Sequence, residues 1–184
     1  MKTYNIAIVG LGNIGSYLFN FLTKNKNYLF NKNNSNFNIS YVSAKNLKKK
    51  RSINFKKKIW IKDCLKLVKK KDVDIIIELI GGSDGVAKKL VFSALKNKKH
   101  IVTANKALIS KYGDELSKIA EKNRVNLEYE AAVCGGVPII RSIKEGLIAN
   151  KINRLHGIFN GTSNYILSSM DKDKTTFKET LNKS

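Results

Sequence analysis

The run Gly10-Leu11-Gly12-Asn13-Ile14-Gly15 follows the strand-like stretch Tyr4 to Val9. It opens a segment, Asn13 to Lys24, in which Ile14, Tyr17, Leu18, Phe21 and Leu22 recur at helical spacing. A strand that passes through three glycines into a helix leaves few folds open. Gly10 permits a tight turn, Gly12 lets backbone N–H groups come close to a ligand, and Gly15 lets the helix pack against the strand. The ligand such a turn receives is a diphosphate, since a helix N-terminus offers unpaired N–H groups and the positive end of the dipole. Gly10, Gly12, Asn13, Ile14 and Gly15 are therefore candidate dinucleotide-binding residues, the competing reading being a glycine-rich turn that holds nothing.

What lies beyond the glycines decides between the two. Short apolar runs alternate with amphipathic ones, the pattern of strand and helix units on a parallel sheet. Ile39 to Val42 reads as a second strand after a polar loop, Asn25 to Asn36. Asp63 to Lys71 reads as a helix, and Val73 to Ile77 as a third strand covered on both faces. A helix capped by Ser83 runs to about Asn97, His100 to Thr103 is a fourth strand, Asn105 to Asn123 a long helix and Val125 to Glu128 a fifth strand. The fold class is α/β, a Rossmann-type doubly wound parallel sheet.

After Glu130 the character changes. Small residues crowd Ala131 to Gly136, the one proline is Pro138, and a helix is expected from Ile139 to Ala149, leading to Ile152 to Phe159. Residues 1–134 thus read as the nucleotide-binding domain and 135–184 as the incomplete start of a second, α+β domain, too short to bury its own core. The tail from Asp171 to Ser184 offers one weak helical stretch.

Among the 184 residues, 35 Lys+Arg stand against 14 Asp+Glu, a formal charge of +21. That is the footprint of a nucleic-acid binder, because lysines on phosphates release counterions. Yet clusters such as Lys48 to Arg51 and Lys56 to Lys58 lie in loops with few aromatic neighbours, amid abundant asparagine. A solvated surface that helps attract an anionic cofactor explains them as well. Two cysteines cannot staple a secreted scaffold, no apolar leader precedes the first strand, and no apolar stretch reaches the roughly 20 residues of a membrane span. A cytoplasmic protein is the expectation.

The end of the second strand is where an adenosine ribose should lie. An NAD-preferring site places Asp or Glu there, whereas this chain offers Ser43-Ala44-Lys45 and then further lysines. Lys45 is therefore a candidate for the 2′-phosphate of NADP, with NAD as the other possibility and a solvated lysine as the plain alternative.

Four blocks resemble homoserine dehydrogenase: Asp74 to Gly82 (DIIIELIGG), His100 to Ala107 (HIVTANKA), Glu130 to Pro138 (EAAVCGGVP) and Gly157 to Tyr165 (GIFNGTSNY). The resemblance implies NAD(P)H-dependent reduction of aspartate 4-semialdehyde to homoserine, on the route to threonine and methionine, by an enzyme that generally works as a homodimer. It implies that Lys106 is the lysine facing nicotinamide and substrate, where an ammonium can stabilise a developing alkoxide. Ile80, Gly81 and Ala104 match cofactor-lining positions, and Gly161 and Thr162 match substrate-contacting ones. Glu130, Val133, Gly135 and Val137 match a monovalent cation site, sodium in the family, for which oxygen donors are suited. The plainer readings are a helix-start lysine in solvent, a helix cap at Thr162 or Ser163, and a tight turn with no ion.

Family chains are longer, and the family's acidic substrate-binding residues and second catalytic lysine have no counterpart here. The sequence therefore reads as a fragment expected to bind dinucleotide with little or no turnover. Two rivals stay open. Cys134 in its glycine-rich turn could be the nucleophile of a phosphorylating semialdehyde dehydrogenase, with His100 or His156 as base. A basic nucleic-acid-binding module would instead show salt-steep binding to DNA or RNA and indifference to NADPH.

Overall fold

The computed structural model describes residues 1–157 and 161–182. Ile158 to Asn160 of the last family block, the end of the Ile152 to Phe159 stretch and the last two residues of the tail lie outside them. Contacts divide the chain into two compact units, Met1–Ala132 and Val133–Ser184.

The first unit is built on five parallel strands: β1 (Lys2–Val9), β2 (Ser35–Ser43), β3 (Ile75–Glu78), β4 (His100–Thr103) and β5 (Leu127–Glu128). They stand in the order β2-β1-β3-β4-β5. Strands alternate with helices α1 (Asn13–Lys24), α2 (Lys26–Asn33), α3 (Val86–Lys96) and α4 (Lys106–Asn123). Because side chains alternate across a strand, β1 feeds two cores. Ala7 and Val9 join Ile76, Ile101 and Leu127 under Leu90, Val91, Leu108 and Leu116 of α3 and α4. Ile6 and Ile8 face the other way, with Val42 and Ile77, onto Phe19 and Leu22 of α1. Burial on both faces is why β1 and β3 read as continuous apolar runs.

Beyond β2, Trp60 forms a single parallel bridge with Val42, and the Ile61 N–H donates to the Val42 carbonyl at 2.9 Å. Counted as a rudimentary strand, Trp60 completes the 3-2-1-4-5-6 order of a dinucleotide-binding sheet. Phe55 stacks on its indole with ring centroids 6.0 Å apart.

Several local expectations are corrected. The polar stretch after Asn25 contains helix α2, which buries no side chain, so no apolar stripe announced it; it ends at Asn34 in the left-handed region. Cys64–Lys69 is a 3-10 helix, its first turn held by Asp63 accepting from the Leu65 N–H. Ser83 does not cap α3: its hydroxyl donates to Asp84 at 2.7 Å, and the cap position is Gly85 at φ 73°, a conformation glycine accepts freely.

In the second unit the expected helix from Ile139 is α5 (Ile139–Arg141) continued by a wide turn, Ser142–Gly146. The Leu147 N–H donates there to the Ser142 carbonyl, five residues back. Then follow α6 (Gly161–Asp173) and α7 (Phe177–Leu181), the latter opened by a capping box between Thr176 and Glu179.

Candidate functional site

At the carboxyl edge of the sheet the chain leaves β1 through Gly10 at φ 103°, whose N–H donates to the Ser43 carbonyl at 2.8 Å. A methyl group on Gly10 would lie 2.5 Å from the Leu79 carbonyl oxygen, and one on Gly15 would overlap the Gly10 carbonyl. One on Gly12 would meet nothing within 4 Å. Two glycines thus close the turn against protein, and the middle one leaves its outer side open. Gly12 is also the cap residue of α1, with no side-chain cap and no acidic residue in the first turn. The first N–H groups of α1, from Asn13 and Ile14 onward, therefore point out of the helix mouth with no carboxylate competing for them. That cradle fits a diphosphate.

On one side of the mouth lies a cavity of ≈ 400 Å³, lined by Gly12, Asn13, Tyr17, Lys49, Lys50 and Arg51 among others. Arg51 organises this wall. Its Nε donates to the Leu11 carbonyl at 3.1 Å, Nη2 to the Asn46 carbonyl at 2.7 Å and Nη1 to the Lys49 carbonyl at 2.9 Å. The guanidinium lies 5.8 Å from the centre of the Trp60 ring. With its fork spent on carbonyls, Arg51 ties the lysine loop to the glycine turn, while Lys49 and Lys50 line the open space. Lys45 is exposed just past β2 and is not among the lining residues. Arg51 was hidden in the sequence as the last residue of a lysine run.

On the other side a cavity of ≈ 170 Å³ is lined by Ile14, Leu79, Ile80, Gly81, Ala104 and Asn105. Ile14 is 64% and Ile80 38% exposed, so two large apolar side chains wait at this rim. Beneath them Glu78 is 0% exposed. Its Oε1 accepts from the N–H groups of Ile80 at 2.8 Å and Gly81 at 3.1 Å, and its Oε2 from the Thr103 hydroxyl at 2.6 Å. Thr103 Oγ1 in turn accepts from the Asn105 N–H at 3.0 Å. Asn105, itself buried, donates from Nδ2 to the Gly82 carbonyl at 2.7 Å and caps α4 by accepting from the Leu108 N–H at 3.1 Å. The loops after β3 and β4 are thereby joined through one carboxylate. In the sequence Glu78 merely interrupts the apolar run Ile75 to Ile80, and nothing there gives its partners.

Lys106 follows directly as the first residue of α4, exposed, its N–H donating to the Ala104 carbonyl at 3.1 Å. A cation at the positive end of a helix works against the dipole, so this placement is not chosen for helix stability. Gly161 and Thr162 open α6 in the second unit. Of the expected cation ligands, Glu130 begins a 3-10 turn of the first unit, while Val133, Gly135 and Val137 belong to the second. The Val137 carbonyl accepts from the Ile139 N–H at 2.8 Å and keeps a second lone pair. No group of three or more His, Cys, Asp or Glu able to hold a metal occurs among the described residues. His100 Nδ1 accepts from the Asn126 N–H at 3.0 Å at the start of β4, the end of the strand remote from the glycine turn, which makes it a packing histidine.

The comparisons agree with this geometry. A family model described as homoserine dehydrogenase, NAD binding domain, matches residues 10–130, and one described as homoserine dehydrogenase matches residues 138–184. The homoserine dehydrogenase of Neisseria gonorrhoeae is 42% identical over 181 residues, which is 98% of this chain and 41% of that protein. A crystal structure of the Thiobacillus denitrificans homoserine dehydrogenase, 37% identical, aligns with a TM-score of 0.86 over 100% of this chain and 42% of its own. A hyperthermophilic archaeal homoserine dehydrogenase in complex with NADPH shares the fold at 21% identity, with a TM-score of 0.76 over 98% of this chain and 60% of its own. The chain spans about two fifths of the length of the curated relative it matches.

Proposed function

The chain belongs to the homoserine dehydrogenase family, and from that premise we propose that it holds the nicotinamide dinucleotide of an enzyme that reduces aspartate 4-semialdehyde to homoserine in threonine and methionine biosynthesis. The observation that carries this is the open middle glycine: at the uncapped mouth of α1, Gly12 alone of the three fingerprint glycines has free space where a side chain would be.

NADP is the favoured form. Lys49 and Lys50, held against the turn by Arg51, supply positive charge on the adenosine side, with Lys45 near the end of β2. None of the residues lining that cavity is an Asp or Glu that would accept from the ribose hydroxyls of NAD.

The bound dinucleotide supplies a hydride. Ile80, Gly81 and Ala104 shape the apolar recess that shields its reducing ring from water. Lys106 is the catalytic residue, its ammonium stabilising the oxygen of the carbonyl as negative charge develops there. Gly161 and Thr162 hold the polar groups of the amino-acid substrate. The match of Glu130, Val133, Gly135 and Val137 to the family's cation positions supports sodium as a further ligand, for which hard oxygen donors are suited. Residues 1–134 form the nucleotide-binding domain and 135–184 the start of the catalytic one. The working enzyme is a cytoplasmic homodimer without a nucleic-acid partner; among the described residues no helix is long and apolar enough to cross a membrane.

A fluorescence titration of the chain with NADPH, at two salt concentrations and beside a matching titration with a DNA oligonucleotide, tests the reading. Saturable NADPH binding that Gly12→Val abolishes without unfolding the protein is expected. Indifference to NADPH with salt-steep DNA binding would replace this reading with the nucleic-acid one.

A further inference from the structure

Glu78 is a buried carboxylate that the hydride-transfer scheme above does not use. A buried charge is costly unless it is compensated, and among the described residues Glu78 makes no salt bridge. It is held by three donated hydrogen bonds alone, two from N–H groups and one from the Thr103 hydroxyl. Thr103 Oγ1 donates to Glu78 Oε2 while accepting from the Asn105 N–H, so with the two amides both carboxylate oxygens act as acceptors.

The position of this charge matters. The residues that bind Glu78, Ile80 and Gly81 through their N–H groups and Thr103 through the strand that leads to Ala104 and Asn105, are those that line or adjoin the apolar recess. The Glu78 carboxylate is bound by the amides of Ile80 and Gly81, two residues that line the recess, so its charge acts on the recess at short range in surroundings that screen it poorly. Nicotinamide is neutral when reduced and carries a positive charge when oxidised.

We propose that Glu78 is a positioning and tuning residue that biases the bound dinucleotide toward its oxidised, positively charged form and so makes the reduced form a stronger hydride donor. The inference rests on the reading that the nicotinamide occupies the recess lined by Ile80, Gly81 and Ala104. A residue that served only to brace the loops would weaken both redox forms alike, because the two have nearly the same shape. A charge acts on the oxidised form alone.

The experiment is a pair of titrations, NADP⁺ and NADPH, on the 184-residue chain and its Glu78→Gln and Thr103→Val variants, with folding monitored by circular dichroism. Glu78→Gln is expected to weaken NADP⁺ relative to NADPH by roughly tenfold. Thr103→Val, which keeps the charge and loses the tie between loops, is expected to weaken both and leave their ratio near that of the parent. Should Glu78→Gln fail to fold, the double variant Glu78→Leu/Thr103→Val removes the charge together with its buried hydroxyl donor and is expected to shift the ratio in the same direction. An unchanged ratio on loss of the charge, or an equal change in the ratio with Thr103→Val, overturns this inference while leaving the cofactor reading intact. Failure of the parent chain to bind either form overturns the cofactor reading itself.

Discussion

A methyl group added to each of the three fingerprint glycines meets a different fate. At Gly15 it collides with the Gly10 carbonyl, a backbone group on a fixed turn, so no side chain can rotate away. Gly15→Ala is expected to lower stability by about 1–3 kcal/mol, as overpacking does, whereas Gly12→Ala should fall within about 0.5 kcal/mol of the parent. Urea unfolding of the two variants checks this; equal losses would mean that the turn is closed at Gly12 as well. At this scale the sequence was informative about the glycines, while Lys106 stood out only through the family block that contains it. It was mute about Arg51 and Glu78. Their importance comes from which carbonyls and amides surround them after folding, and no spacing rule encodes partners 40 residues apart, as Arg51 and Leu11 are.

Helices and strands were legible where burial imposed a period. Helix α1 and strand β4 lie where hydrophobic spacing puts them, because each presents apolar residues to a core. Helix α2 buries nothing and so escaped, while the helix read from Asp63 to Lys71 is the shorter 3-10 turn Cys64–Lys69, whose type hydropathy does not reveal. The start of α3 was displaced because Asp84 uses Ser83 for its own purposes. Asp84 accepts from Lys111 Nζ at 2.9 Å and from the Tyr112 hydroxyl at 2.8 Å, tying the approach to α3 onto α4. Lys111 first, then Ser83 and Tyr112, hold its carboxyl well below the usual carboxylate range. A depressed carboxyl contributes its stabilisation fully above the ordinary value of 3.8 and loses it only as pH falls through the lower folded value. The pair is exposed, so the contribution is small. A carbon-detected NMR titration should find Asp84 still ionised at pH 3.8, and Lys111→Met should move its midpoint upward; a midpoint at 3.8 in both proteins would contradict the geometry.

Across the whole molecule, the alternation of runs was enough to place a parallel sheet, but not to show that the strand beyond β2 shrinks to Trp60 alone. Nothing in hydropathy distinguishes a one-residue bridge from a loop. The charge of +21 is likewise ambiguous in the sequence, and folding resolves part of it by bringing Lys49 and Lys50 to the rim of a cavity. The bare entrance of α1 bears on the entire fold: with no side chain to finish the helix, the ligand is its missing cap. Saturation at a hundredfold excess over Kd is expected to stabilise the chain by about 2.7 kcal/mol, and a thermal melt with and without NADPH should separate by several degrees; coincident melts would refute it. In a living cell the same coupling would make the lifetime of this polypeptide follow metabolic supply, with starvation for the dinucleotide leaving more of it open to proteolysis.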